Sequence, residues 1–300
     1  MTNNKQFLDP NIIVKLGKVN LVARLVVEGF ISGLHKSPFR GFNVEFAEHR
    51  PYMPGDEIRH IDWKVFGKSD KFYIKQFEEE TNLKAYIFLD KSASMNFPNT
   101  EDALSKLTYG SYLSASLAYL MLQQRDSVGL ATFSRKIHDF IPPRSQAGHL
   151  HQLHEALTEL KGEGDTDLAG ILNQLAERIK RRALIILISD LFASSDKEVV
   201  SALKHLRHQK HEIIVFHLLS RQELQLDFTA ASQFIDLESG ERMVASPREI
   251  QKQYQEKIAV WLDYYRQSLQ EASIDYQPLN TTLPLEYPLI SYLSKRMRKR

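Results

Sequence analysis

One acid and two hydroxyls follow a short apolar run at alternate positions in Ala85-Tyr86-Ile87-Phe88-Leu89-Asp90-Lys91-Ser92-Ala93-Ser94. A strand that ends in oxygen ligands is a place to hold a hard cation, because carboxylate and hydroxyl oxygens suit Mg²⁺, Mn²⁺ or Ca²⁺ better than softer metals. A second acid, Asp190, closes another apolar run, Ala183 to Ser189, and a polar loop, Gly164-Asp165-Thr166-Asp167, precedes a helical pattern. If the two runs are neighbouring strands, Asp90, Ser92, Ser94, Thr166 and Asp190 converge. Two carboxylates about 5 Å apart at an effective dielectric near 20 repel by roughly 3 kcal/mol. A shared proton, a basic side chain or a cation must offset that, and the hydroxyls favour the cation. Mg²⁺ takes about six oxygens, so these residues leave a position open for an outside ligand.

The elements that must position these groups are legible from periodicity. Strands are expected at 84–90, 127–133, 136–141, 183–189 and 212–219, and helices at 102–124, 148–160, 167–180 and 195–209. The alternation implies an α/β fold with a doubly wound, mostly parallel sheet, whose ligands bind at the carboxyl ends of the strands. Upstream, Ile12, Ile13, Leu16, Val19, Val22, Leu25, Val26 and Phe30 repeat at helical spacing. Residues 39–82 read as a small β-rich element with strands at 41–46 and 72–77, a turn-rich stretch at 50–56, and Trp63 as its anchor. A hairpin is expected at 233–245, a long helix from Pro247 to about 272, a strand at 274–279, and a basic terminal helix after Pro288. The domains expected are thus 1–82, 83–245, and 246–300 packing on the α/β domain.

Composition narrows the function classes. The 300 residues carry a formal charge of only +2, with 43% hydrophobic and 25% charged residues. That balance argues for an ordinary core and against a general nucleic-acid binder. The basic cluster Lys295, Arg296, Arg298, Lys299 and Arg300 reads as a solvated helix end. With no cysteine, disulfides, thiolate zinc sites and cysteine nucleophiles are excluded together. No apolar stretch reaches the roughly 18 residues that span a bilayer, and no signal-peptide pattern opens the chain. The expectation is a cytoplasmic protein, with peripheral membrane contact left open.

Asp-x-Ser-x-Ser, a loop threonine and a strand-end aspartate resemble the metal-ion-dependent adhesion site of von Willebrand factor A domains, in the same order. Integrin-type domains often place glycine after the last aspartate, where this chain has Leu191. A broader resemblance is carried by residues 41–46, Arg50-Pro51-Tyr52-Met53-Pro54-Gly55-Asp56, Arg59-His60-Ile61-Asp62-Trp63-Lys64, Phe77-Glu78-Glu79-Glu80-Thr81, Asp126-Ser127-Val128-Gly129-Leu130 and Ile188-Ser189-Asp190. These are similar to the bacterial proteins called domain of unknown function 58, typically encoded beside MoxR-type AAA+ ATPases. The resemblance implies a non-enzymatic adaptor that works with such an ATPase in protein maturation or remodelling. It would use a divalent cation, Mg²⁺ foremost, to bind an acidic residue of a client.

Other chemistries fit less well. The alternative is a metal-dependent phosphoesterase using the same ion as Lewis acid, with His60 as the sequence-visible base. A haloacid-dehalogenase-like role for Asp90 would need Asp at position 92, which is Ser. Gly67-Lys68-Ser69 resembles the end of a P-loop, but the required earlier glycine falls on Asp62. Neither a His-Glu-x-x-His motif nor a Gly-x-Ser-x-Gly elbow occurs.

Overall fold

The computed structural model describes residues 19, 21–24, 26–27, 49–52, 63–69, 72–75, 84–98, 104–146, 148–226, 228, 232–237, 240–290 and 292. The chain divides into two units, residues 34–82 and residues 1–33 together with 83–300.

In the smaller unit, β1 (His49–Pro51) pairs antiparallel with β2 (Tyr73–Lys75). The stretch expected as turn-rich therefore begins as a strand. A helix intervenes at Trp63–Ser69, which the β-rich reading did not include. Trp63 is 57% exposed and meets Phe66 edge-on at 6.1 Å, so it is not the buried anchor. Among the described residues of this unit, the tightest aromatic contact is Phe66 stacked on Phe72, with centroids 4.5 Å apart. The strand expected at 41–46 and the residues His60 and Asp62 lie outside the described residues.

The larger unit is built on a six-stranded sheet. Its strands are β3 (Lys84–Asp90), β4 (Ser127–Phe133), β5 (Ile137–Arg144), β6 (Leu184–Ser189), β7 (Glu212–Leu219) and β10 (Asp275–Asn280), in the spatial order β10-β7-β6-β3-β4-β5. All pairings are parallel except β4 with β5. The expected doubly wound, mostly parallel sheet is therefore observed. Every residue of β6 is buried, as a central strand covered on both faces requires. β5 runs past Pro142 and Pro143, where the sequence reading ended it. A strand tolerates such prolines at an edge or bulge, and the ladder shifts register here. Gly129 makes this close approach feasible, because a Cβ there would stand 2.6 Å from the Ile141 carbonyl oxygen.

With Trp63–Ser69 of the smaller unit numbered α2, the described helices of the larger unit are α1 (residues 19, 21–24 and 26–27), α3 (Lys106–Gln123), α4 (His149–Thr158), α5 (Leu168–Arg178), α6 (Asp196–His208), α7 (Arg221–Gln225) and α8 (Pro247–Glu271). Along α1, Val19, Val22, Ala23, Val26 and Val27 are buried, which is the helical spacing expected. α3 is covered almost all round. Gly110 lets it lie close to the sheet, where a Cβ would come within 2.9 Å of Leu89 and 3.3 Å of Ile188. α3 starts at Lys106 rather than 102, because the Ser105 hydroxyl caps it by accepting from the Thr108 amide. α5 and α6 pack against β6 and β7, and Tyr265 and Leu269 of α8 complete that core. Asp196 ties α8 in place, accepting from Trp261 Nε1 at 3.0 Å and the Tyr265 hydroxyl at 2.8 Å. The expected hairpin is present as β8 (Ser232–Ile235) and β9 (Arg242–Ala245), and residues 286–290 and 292 are helical.

Candidate metal centre at the carboxyl end of the sheet

β3 and β6 are direct parallel neighbours, with Leu89 opposite Ile188. Asp90 ends β3, and Asp190 follows β6 immediately. From β3 the chain goes to β4 on one side, and it returns to β6 on the other. The two acids thus stand at the point where strand order reverses, which is where open α/β sheets hold ligands.

Local geometry brings the hydroxyls to them. The Lys91 amide continues the ladder to Phe133 (2.7 Å), and the Ser92 amide turns back to donate to Asp90 Oδ1 at 2.9 Å. A 3-10 turn at Ala93–Asn96 follows. The loop preceding α5 is zipped onto this turn. Ala93 donates to the Gly164 carbonyl (2.8 Å), Glu163 to the Lys91 carbonyl (2.9 Å), and Asn96 Nδ2 to the Gly162 carbonyl (2.9 Å). Gly164, at φ +72°, takes the left-handed turn that glycine adopts without a Cβ penalty. Ser94 and Thr166 in consequence line the same cleft of about 860 Å³, together with Phe97, Phe192, Glu223 and Leu237. Asp90, Ser92 and Asp190 are fully buried.

Ser92 Oγ and Ser94 Oγ are 3.0 Å apart and share a hydrogen bond. Adjacent ligands of an octahedron with bonds near 2.1 Å are separated by about 3.0 Å. Thr166 Oγ1 reaches the Ser134 carbonyl only at 3.5 Å, a contact too long to hold the hydroxyl firmly. Among the described residues there is no group of three or more His, Cys, Asp or Glu placed for a metal. Any ion here would rely on hydroxyls as well as carboxylates.

Electrostatics divide the two acids. Burial foremost, and the Asp190 charge after it, push Asp90 up to about 7, against hydrogen bonds from Ser189 and Ser92 that lower it. The Ser189 hydroxyl donates to Asp90 Oδ2 at 2.7 Å. Asp190 has a different neighbour. Lys106, fully buried at the start of α3, donates from Nζ to Asp190 Oδ2 at 2.7 Å and is also paired with Glu223. Burial pulls the lysine downward, but Asp190 and Glu223 outweigh it, so its proton is held more tightly than usual. Phe192 adds its ring face 5.0 Å from Nζ. The other Asp190 oxygen accepts from the Phe192 amide at 3.2 Å. A basic side chain therefore supplies part of the charge compensation expected of a cation.

Sequence reasoning missed Lys106, Glu223 and the role of Ser189. One signal for Lys106 was available: it is the single charged residue in the otherwise apolar and small-residue stretch 106–123. The departure at Leu191 is also explained. Leu191 adopts φ +56°, the left-handed conformation glycine would take, at a cost of roughly 1–2 kcal/mol. Its fully buried side chain joins the main core, so burial offsets that strain.

The chain is similar to mycobacterial proteins described as uncharacterised. Proteins of Mycobacterium tuberculosis (strain ATCC 25618 / H37Rv) and Mycobacterium bovis (strain ATCC BAA-935 / AF2122/97) are each 22% identical over 237 residues, covering 77% of this chain and 73% of theirs. Among solved structures, the conserved hypothetical protein BatB from Bacteroides thetaiotaomicron aligns at 16% identity and TM-score 0.47, covering 72% of this chain and 99% of that one. An aerotolerance-related membrane protein from Bacteroides fragilis NCTC 9343 aligns at 16% identity and TM-score 0.49, covering 71% and 99%. No helix among the described residues of the present chain is long and apolar enough to cross a membrane. The family described as protein of unknown function DUF58 matches residues 48–260, more than half of the sequence, and the chain belongs to that family.

Proposed function

We propose that this protein is a non-enzymatic adaptor that binds a partner protein through a divalent cation. Asp90, Ser92, Ser94 and Thr166 would hold the ion, with Asp190 acting on it directly or through water. Mg²⁺ is the first choice for an all-oxygen set, with Mn²⁺ and Ca²⁺ as alternatives. The bound ion would supply a positive centre for a carboxylate of the partner. The observation that carries this reading is the pair of hydroxyls 3.0 Å apart beside the buried Asp90, with Ser94 opening into the cleft. The cleft walls include Phe97, Phe192 and Leu237, which suit a segment with apolar residues beside its acid. Family context suggests a MoxR-type AAA+ ATPase and its client as the partners.

The hydrolase alternative needs a base beside the ion. His60 lies outside the described residues, and no observation favours that chemistry. The test is capture of the ATPase or a client by immobilised protein, with Mg²⁺ or with chelator. Binding that depends on Mg²⁺ and is lost in Asp90→Ala supports the reading. Undiminished binding by a folded Asp90→Ala protein sinks it.

A further inference from the structure

Lys106 does not belong to the set of oxygen ligands, yet it sits fully buried against one of them. Its ammonium has two carboxylate partners, Asp190 and Glu223, whose side chains are 0% and 14% exposed. We infer that Lys106 is a resident counter-ion that competes with the divalent cation for Asp190 and so keeps the intrinsic metal affinity of this site low. The inference rests on the metal-site reading above and adds the element that regulates it.

Three observations carry it. First, Lys106 Nζ takes Asp190 Oδ2 at 2.7 Å while the Phe192 amide takes Oδ1, so an ion drawing on Asp190 must share a carboxylate whose two oxygens are both engaged, one of them by a full positive charge. Second, the charge count changes with the lysine. Asp90, Asp190, Glu223 and Lys106 sum formally to −2, which a divalent ion neutralises; without the ammonium the sum is −3, and attraction for a cation grows. Third, the ammonium has somewhere to stay when Asp190 turns to the ion. Glu223 is fixed by its place in the α7 capping box, where its carboxylate accepts from the Ser220 amide at 2.7 Å. Glu223 also lines the cleft beside Ser94 and Thr166. A partner carboxylate that joins the ion in this cleft adds the negative charge that the lysine had discounted. Metal and partner then bind each other's complex more tightly than either binds the free protein, as reciprocal linkage requires.

The experiment is calorimetric titration with Mg²⁺ and with Mn²⁺ of wild type, Lys106→Met and Lys106→Gln, without any partner. The inference expects both variants to bind at least tenfold more tightly than wild type. It also expects the melting temperature of the variants to rise more on adding Mg²⁺ than that of wild type. A merely structural lysine would leave affinity unchanged on removal, and a lysine that positions Asp190 for the ion would leave it weaker; either result overturns the inference while the metal site stands. Absence of binding in wild type and in both folded variants overturns the inference together with the metal-site reading. Should the variants not fold, ¹⁵N NMR of the buried ammonium in wild type decides. A resonance that shifts as Mg²⁺ binds supports the competition, and one that stays fixed overturns it.

Discussion

Replacing Asp90 by Asn should stabilise the metal-free protein, although it removes the central ligand. Asp90 is fully buried beside a second acid, and its carboxyl is pushed from 3.8 to about 7. At about 1.36 kcal/mol for each tenfold change in proton affinity, holding the charged form costs up to about 4 kcal/mol. Asn keeps the local geometry: its oxygen can accept from the Ser92 amide, and its amide can donate to Ser189 Oγ. Those bonds are weaker than bonds to a carboxylate, so a net gain of about 2 kcal/mol is expected near neutral pH and above. For a unit of this size that raises the melting temperature by about 4–8 °C. Linkage sets the sign. A raised folded-state pKa gives stability that is full below the unfolded value near 4 and is lost as pH rises to about 7. The gain of Asn over Asp should therefore be largest at about pH 8 and shrink by more than half toward about pH 5. The assay is thermal or urea denaturation of both proteins in chelator across that range, repeated with Mg²⁺, which should stabilise wild type alone. A variant less stable than wild type at pH 8 in chelator, or a pH-independent difference, would refute the reasoning.

Other perturbations separate the ligand set from the scaffold. Ser94→Ala should weaken Mn²⁺ binding at least tenfold in calorimetry, and change metal-free stability by less than about 1 kcal/mol because the side chain is only half-buried. Leu191→Ala should cost about 2–4 kcal/mol in urea denaturation through the cavity it leaves. Leu191→Gly should be no worse than Ala despite its smaller side chain, since the left-handed backbone there recovers about 1 kcal/mol. Tyr265→Phe should cost about 1–2 kcal/mol by removing the hydroxyl that bonds Asp196, measured in the same way.

The strands and helices around the site were legible because their apolar periodicity is strong and local. The β3 and β6 runs end in acids, and the sheet makes them neighbours. What stayed hidden was set by long-range pairing. Lys106 meets Asp190 across 84 residues and Glu223 across 117, and no local pattern announces such partners. Its isolation in an uncharged helix was the one clue, sharpened by its place at the helix N-terminus, where the macrodipole disfavours a cation. The ends of elements were misread where one group overrides periodicity. The Ser105 cap delays α3, and the edge position lets β5 continue through two prolines. In residues 34–82 short strands flank a short helix. Alternation over so few residues cannot distinguish such a helix from a turn.

The occupied site itself can be seen directly. Crystals soaked in Mn²⁺ and measured at its absorption edge should give one strong anomalous peak, in contact with Asp90, Ser92 and Ser94 and near Thr166. The same soak of Asp90→Asn should give none there. A wild-type crystal with no peak at those oxygens at millimolar Mn²⁺, or with its peak elsewhere on the molecule, would contradict the account.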